Sequence, residues 1–313
     1  MGVIHDLQKV YAHDTLIKKH GESNMPPVLY LIDGHALAYR AYFALSTSGG
    51  GRWTNSKGEP TAGTYGFTNI LLKLLEKEQP EYLAVAFDTG KTFRDDIYDE
   101  YKATREKMPD ELRPQIDRIR QIVDAFGFPR LELEWFEADD VLGTIATKAV
   151  EKGFGVKIIT GDRDLLQLVS DRIIVNLPDR KSSDTKDYAR DDVFEYLGVY
   201  PEQVVDYKAL VGDTSDNIPG VRGIGEKTAT KLLLEYSTLE NIYAHLEDIS
   251  SRTRTLLENG VDSAKMSHNL ALIRIDAPIR LELEDARTHH MNFQLLGDLF
   301  HELEFRTVLP RIE

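Results

Sequence analysis

Carboxylates stand wherever an apolar run of this chain gives way to a turn or helix, and that pattern constrains the fold more than any other feature. Asp33 follows VLYLI, Asp88 ends the run after YLAVAF, Glu137, Asp139 and Asp140 lie in WFEADD, and Asp162 and Asp164 lie in IITGDRD; Asp213 and Asp216 in GDTSDN complete the set. In an open α/β sheet the carboxyl ends of parallel strands share one edge, and ligands bind in the crevice outside it. Nine acids on one edge would repel each other unless cations sat among them. The residues therefore predict a multi-metal site built only from oxygen ligands.

The rest of the chain supports such a sheet. The strand VLYLI leads into HALAYRAYFAL, which has helical spacing, and a Gly/Ser/Thr-rich loop precedes the helix YGFTNILLKLLEKE and the strand YLAVAF. The helix RPQIDRIRQIVDAFG runs to a strand LELEW, ADDVLGTIATKAVEKG is an amphipathic helix, and the strand VKIIT, helix DLLQLV and strand RIIVNLP follow. This alternation predicts an α/β fold with a central parallel-rich sheet and helices on both faces. Residues 1–27 are expected to be an N-terminal extension, 28–206 the α/β core, and 207–313 a mainly helical subdomain. The stretch 91–112 is charged throughout, and its sparse apolar positions predict helices standing away from the core.

With no cysteine, zinc–thiolate sites and thiol nucleophiles are excluded. No run approaches the length of a membrane span and the first residues lack an apolar signal stretch, so a cytoplasmic address is the default expectation. The formal charge of −14 argues against a polyanionic partner at first sight. Nine of those charges belong to the candidate site, however; without them the balance is −5, and two divalent ions would bring the whole chain to −10. Local charge has to decide the partner.

Taken singly, each acid has a bland reading, because Asp commonly caps a helix or closes a turn. For Asp33 or Asp88 alone capping is the better account, whereas Glu137, Asp139 and Asp140 crowd three acids into four residues, more than one cap needs. The second constellation, GDTSDNIPGVRGIGEKTATKLLLEY, has Gly220, Gly223 and Gly225 in a tight hairpin before a helix carrying Lys227 and Lys231, with Arg222 in the turn. Exposed amides and a helix start favour a phosphate; the bland alternative is a hairpin that only packs. The third is YKATR with Tyr101, Lys102 and Arg105, preceded by Arg94. Such runs are usually solvated faces, yet an aromatic one helical turn from a cation is what single strands require. Tyr39 and Phe43, also four apart, fit core packing better than base stacking.

These blocks, LIDGHALAYRAYFAL, FD with TFR and YKATR, EADD, TGDRDLLQL and GDTSDNIPGVRGIGEKTA, closely resemble the 5′ nuclease (flap endonuclease) domain of bacterial DNA polymerase I, over roughly residues 28 to 309. The resemblance implies a helical arch over the active site at about residues 91–112 and a helix-hairpin-helix element gripping duplex DNA in the C-terminal subdomain. It implies two Mg²⁺ or Mn²⁺ ions. Asp33, Asp88, Glu137 and Asp139 would hold the first, and Asp162, Asp164, Asp213 and Asp216 would hold or support the second, with Asp139 and Asp140 between them. Lys102, Arg105 and Arg94 would meet the reacting phosphate, Tyr101 would contact DNA, and the hairpin would hold DNA and a K⁺ ion.

The function implied is a structure-specific 5′ nuclease of replication and repair acting on 5′ flaps and nicked or branched duplex. It would be a monomer apart from an attached or separate DNA polymerase, with no membrane partner. Two other readings share some of these residues. A PIN-type metal-dependent ribonuclease needs the sheet and the acids but not GVRGIGEKTA, and an inactive DNA-junction binding module would be expected to have lost acids, all nine of which are present.

Overall fold

The computed structural model describes residues 26–47, 53–179 and 184–312, so the expected N-terminal extension lies, but for Pro26 and Pro27, outside the described residues. Strand β1 (Val28–Asp33) sits mid-sheet. It is followed by helices α1 (Gly34–Ser46) and α2 (Ala62–Glu78), then by strand β2 (Tyr82–Ala86). A short helix α3 (Phe93–Ile97) and a longer α4 (Arg113–Ala125) lead to β3 (Arg130–Leu131), and α5 (Ala138–Glu151) crosses to β4 (Gly155–Ile159). Strands β5 (Ile173–Pro178) and β6 (Thr185–Tyr188) finish the sheet in the order β3-β2-β1-β4-β5-β6. All pairings are parallel except β5 with β6. β1 and β2 are covered on both faces, which is why they read as near-continuous apolar runs.

On one face α1, α2 and α4 pack through Leu37, Phe67, Leu71, Ile119 and Phe126 against Ile32 and Val85. On the other, α5 packs through Val141, Leu142 and Ile145 against Leu29, Leu31 and Ile158, and this core continues into the C-terminal helices. Those are α6 (Arg190–Leu197), α7 (Val204–Val211), α8 (Glu226–Tyr236), α9 (Leu239–Ala244), α10 (Ser251–Asn259), α11 (Val261–Ala271) and α12 (Phe293–Glu302). No described helix is long and apolar enough to cross a membrane.

Three expectations need correction. The stretch 91–112 does not form helices standing away from the core: α3 has five residues and the chain then runs in turns down to α4. The cause is local. Arg94 is buried in an ion pair and Tyr101 packs with Val205, Ile218 and Leu270, so the segment is pulled onto the body of the protein. A boundary at Asp206 would cut α7, where that buried carboxylate accepts from the Leu239 amide at the start of α9. Nor do residues 207–313 form one helical unit, because Leu296, Phe300, Leu303, Phe305, Val308 and Ile312 pack into the α1–α2–α4 face of the sheet. Of LELEW only Leu131 joins a strand, the two-residue β3, and the edge strand β6, TKDY, buries only Tyr188, too little to show as an apolar run.

Candidate functional site

The strand ends deliver their acids to one cleft of about 1440 Å³, lined by Asp33, Asp88, Glu137, Asp139, Asp162, Asp164 and Asp213, with Lys102, Arg105 and Lys208 among them. Asp33 closes β1 and caps α1: one oxygen accepts from the Ala36 amide at 2.9 Å, and the other from the Thr160 hydroxyl at 2.8 Å. Asp88, after β2, accepts from the Ala138 amide at 2.8 Å, fixing it to the start of α5. Its own amide donates to His35 Nδ1 at 3.1 Å. The capping role thus coexists with a place in the cleft.

Asp162 and Asp164 share a tight turn in which the Asp164 amide donates to the Asp162 carboxylate at 2.9 Å. Asp213 and Asp216 are presented by a loop that closes on itself. At Gly212 (φ 81°) a Cβ would lie 2.5 Å from the Ile218 carbonyl oxygen, and at Gly220 (φ 62°) one would lie 2.3 Å from the Gly212 nitrogen, so neither position admits a side chain. The same closure pairs Asp213 with Ile218 as an antiparallel bridge.

Three cations neutralise part of this charge. Lys102, in a left-handed conformation at φ 56°, donates to Glu137 at 2.5 Å and lies 3.8 Å from Asp216. Arg105 donates through Nε to Asp216 at 3.0 Å and reaches to 4.0 Å from Asp162. Lys208 of α7 bridges Asp164 and Asp213. It was not among the residues singled out from sequence, and its only signal is a lone lysine in the apolar helix VVDYKALV, five residues before Asp213. Although burial opposes it, Lys208 is held above the usual lysine range by those two carboxylates. Burial alone would raise Asp213, but Lys208 and the Ser215 hydroxyl and amide bring it down to about 2.

Charge remains uncompensated. Burial, followed by repulsion from Asp88 and Asp162, pushes Asp33 up to about 7 even though two hydrogen bonds oppose the shift. Asp164 is likewise pushed up to about 7 by burial and Asp162, against the pull of Lys208. Asp139 rises well above the ordinary carboxylate range through burial and repulsion from Asp162, Asp33 and Glu137. The structure gives its carboxylate no hydrogen-bond or ion-pair partner among the described residues. A half-buried, unpartnered carboxylate among oxygen-only donors fits a hard divalent cation. No three acids among the described residues converge into a ready cage, and Lys102, Arg105 and Lys208 are each paired with two of them.

Two residues expected at the reacting centre stand apart from it. Arg94 is 2% exposed, and its guanidinium donates to both Asp140 oxygens at 2.7 and 2.8 Å and to the carbonyls of Leu270 and Leu272. Asp140 also accepts from the amides of Glu137 and Arg274. This saturated pair ties α3, α5 and the end of α11 together, so neither Arg94 as a phosphate contact nor Asp140 as a metal ligand fits the geometry. Tyr101 is also misassigned as a DNA contact: it is 7% exposed and its hydroxyl points at Glu137 and Asp216, each 3.3 Å away. A ring so covered cannot stack on a base.

The hairpin lies beside the cleft. Ile224 turns back on Val221, Gly223 has φ 91°, and α8 starts at Glu226 after Gly225. Arg222, Lys227 and Lys231 are all exposed. Lys227 and Lys231 line a shallow groove that meets the main cleft at Leu197, Tyr207 and Glu226. Tyr39 lines the cleft too, stacked on the exposed Phe43 with ring centres 6.3 Å apart.

Two family descriptions match the chain: the N-terminal resolvase-like domain of 5′-3′ exonucleases over residues 28–198, and the 5′-3′ exonuclease C-terminal SAM fold over residues 199–294. DNA polymerase I of Caldicellulosiruptor bescii is 47% identical over 91% of this chain, and that of Bacillus subtilis is 43% identical over 91%. The chain spans about a third of the length of these relatives. Among solved structures, the bacteriophage T5 flap endonuclease, in a pseudo-enzyme-product complex with DNA and metal ions, superposes with a TM-score of 0.62 at 23% identity, covering 88% of this chain and 99% of that one. Flap endonuclease-1 from Methanococcus jannaschii gives 0.60 at 17% identity, covering 92% of this chain and 91% of that one. At these identities the two structures bear on the fold alone.

Proposed function

The chain belongs to the 5′-3′ exonuclease family, and from that premise we propose that it is a structure-specific 5′ nuclease, hydrolysing DNA at 5′ flaps and nicked or branched duplex during replication and repair. The observation that carries the reading is the cleft, where unpartnered Asp139 and the raised Asp33 and Asp164 leave negative charge that divalent cations would relieve. Asp33, Asp88, Glu137 and Asp139 would hold one ion, and Asp162, Asp164, Asp213 and Asp216 would hold or support the other. Bound there, two Mg²⁺ or Mn²⁺ ions would supply an activated water and charge neutralisation at the leaving oxygen.

The chain's own residues do the rest. His35 and Ala138 orient Asp88, Thr160 and Ala36 orient Asp33, and the Arg94–Asp140 pair fixes the start of α5 from which Glu137 and Asp139 project. Lys102 and Arg105 sit within reach of both acids and cleft, where a phosphate drawn to the site would compete for them and gain charge stabilisation as it reacts. Arg222, Lys227 and Lys231 would grip backbone phosphates of duplex DNA, with a K⁺ ion held by the hairpin. The nuclease would work attached to, or beside, a DNA polymerase, as the length of its relatives suggests. A 5′-labelled flap substrate incubated with Mg²⁺ should release a short 5′ product, and EDTA should stop the release. Cleavage unaffected by EDTA, or confined to single-stranded RNA, would overturn the reading.

A further inference from the structure

Trp135 is a bulky residue in the left-handed region, at φ 71°, and it is 50% exposed. Left-handed backbone is strained for any residue with a Cβ, and an indole on the surface gains little burial in return. The conformation is nonetheless firmly held. Trp135 bridges Thr92, its carbonyl accepts from the Phe93 amide at 3.1 Å, the next residue packs Phe136 edge-on against Phe93, and Thr89 donates to the Leu133 carbonyl at 3.1 Å. The indole is presented, not buried, by this scaffold. Beside it stands Lys91, whose ammonium is 5.5 Å from the ring centre and paired with Asp96, and Ile97 is also exposed.

Position adds meaning to this geometry. Trp135 lies two residues before Glu137 and is fastened to the segment that follows Asp88 and Gly90, both of which line the cleft. It follows β3, the edge strand on the β2 side of the sheet, whereas the lysine-bearing groove at α8 is reached from the β4 side through α7 and its contact with the turn after β4. Duplex held at α8 would enter on one side, and an unpaired strand leaving past Asp88 would meet the indole. We propose that Trp135, with Lys91, is a stacking platform for an unpaired base of the single-stranded arm of the substrate, the ammonium being placed for the adjoining phosphate. This rests on the nuclease reading above.

The chain has two tryptophans, so the test can be optical. In Trp53→Phe protein, Trp135 is the sole indole, and titration with oligo(dT) or a 5′-flapped junction in EDTA should quench it saturably. In the otherwise native chain, Trp135→Gly should remove that quench, weaken binding of the flapped junction by roughly 5- to 100-fold relative to a blunt duplex, and hold or raise the melting temperature, because glycine accepts φ 71° without strain. Trp135→Tyr should restore most of the affinity. Binding of oligo(dT), seen by anisotropy of a labelled strand, with no change in Trp135 emission would overturn the proposal; so would equal losses for flapped and blunt DNA in Trp135→Gly. Failure of the native protein to cleave any flap in Mg²⁺ would instead overturn the nuclease reading.

Discussion

Arg94 and Asp140 face each other through two hydrogen bonds of 2.7 and 2.8 Å, with side-chain exposures of 2% and 0%. Removing one partner leaves the other charge buried and unpaired, at a cost of about 3–5 kcal/mol. Arg94→Ala or Asp140→Ala should therefore lower the urea midpoint sharply. Arg94→Met combined with Asp140→Leu should recover much of the loss, since an apolar pair leaves no orphan charge. Single variants of native stability that merely lost turnover would show that Arg94 belongs to the reacting centre after all.

Strand ends and turn acids are local signals, so nine acids read as one cluster, and seven of them, Asp33, Asp88, Glu137, Asp139, Asp162, Asp164 and Asp213, line the cleft, whereas Asp140 and Asp216 are buried beside it. Which acids are consumed by a buried partner is a tertiary fact: Asp139 and Asp140 are neighbours in sequence, yet the helical rotation between them turns one into the cleft and the other onto Arg94. Lys208 was illegible for the same reason, because its partner Asp164 lies 44 residues away. The folded-down segment at Tyr101–Arg105 also depends on contacts to Glu137 and Asp216 that no periodicity encodes.

The last helix is part of the sheet domain in space, though not in sequence. Leu296, Phe300, Leu303, Phe305, Val308 and Ile312 are each buried on the α1–α2–α4 face. At about 1.5–3 kcal/mol per buried side chain they amount to the whole stability of a typical domain. A chain ending at residue 290 should accordingly lose cooperative unfolding as followed by circular dichroism. A sharp, near-native transition in that truncation would show that the core closes without them.

Acid stability should run opposite to habit. Asp33 and Asp164 are raised to about 7 in the folded protein, so between roughly pH 4 and pH 7 the folded state binds more protons than the unfolded chain. In EDTA this contribution to stability falls as pH rises through that window. Asp213, at about 2, acts in the reverse sense, but its share is complete above about pH 4 and does not change there. Urea midpoints in EDTA should thus be lower at pH 8 than at pH 5.5, and Mg²⁺ should raise the pH 8 value more. A metal-free midpoint that climbs over this range would contradict the environment assigned to both acids.

Arg222, Lys227 and Lys231 are exposed cations on the hairpin and its helix. Lys227→Ala with Lys231→Ala should weaken junction binding alike for all sequences and flatten the slope of log K against log salt by up to about 0.9 for each phosphate no longer neutralised. An unchanged slope would reduce the hairpin to a packing element.

Asp139 separates chemistry from binding. It is the acid without a partner, crowded by Asp162, Asp33 and Glu137, so replacing it with Ala removes repulsion within the metal-free site and should raise stability in EDTA at pH 8. It also removes a negative charge that repels DNA while leaving the hairpin cations in place. Junction affinity in Ca²⁺ or EDTA should therefore hold or rise, whereas cleavage in Mg²⁺ should vanish because the ion it would share with Asp33 and Glu137 is lost. Lys102→Ala should differ: it frees Glu137 from a 2.5 Å ion pair, so half-maximal thermal stabilisation should need less Mg²⁺, yet single-turnover cleavage should slow for want of the cation near the phosphate. Near-native cleavage by Asp139→Ala at saturating Mg²⁺ would remove this residue from the metal site, and joint loss of junction binding and activity would mean that its role is to hold the fold.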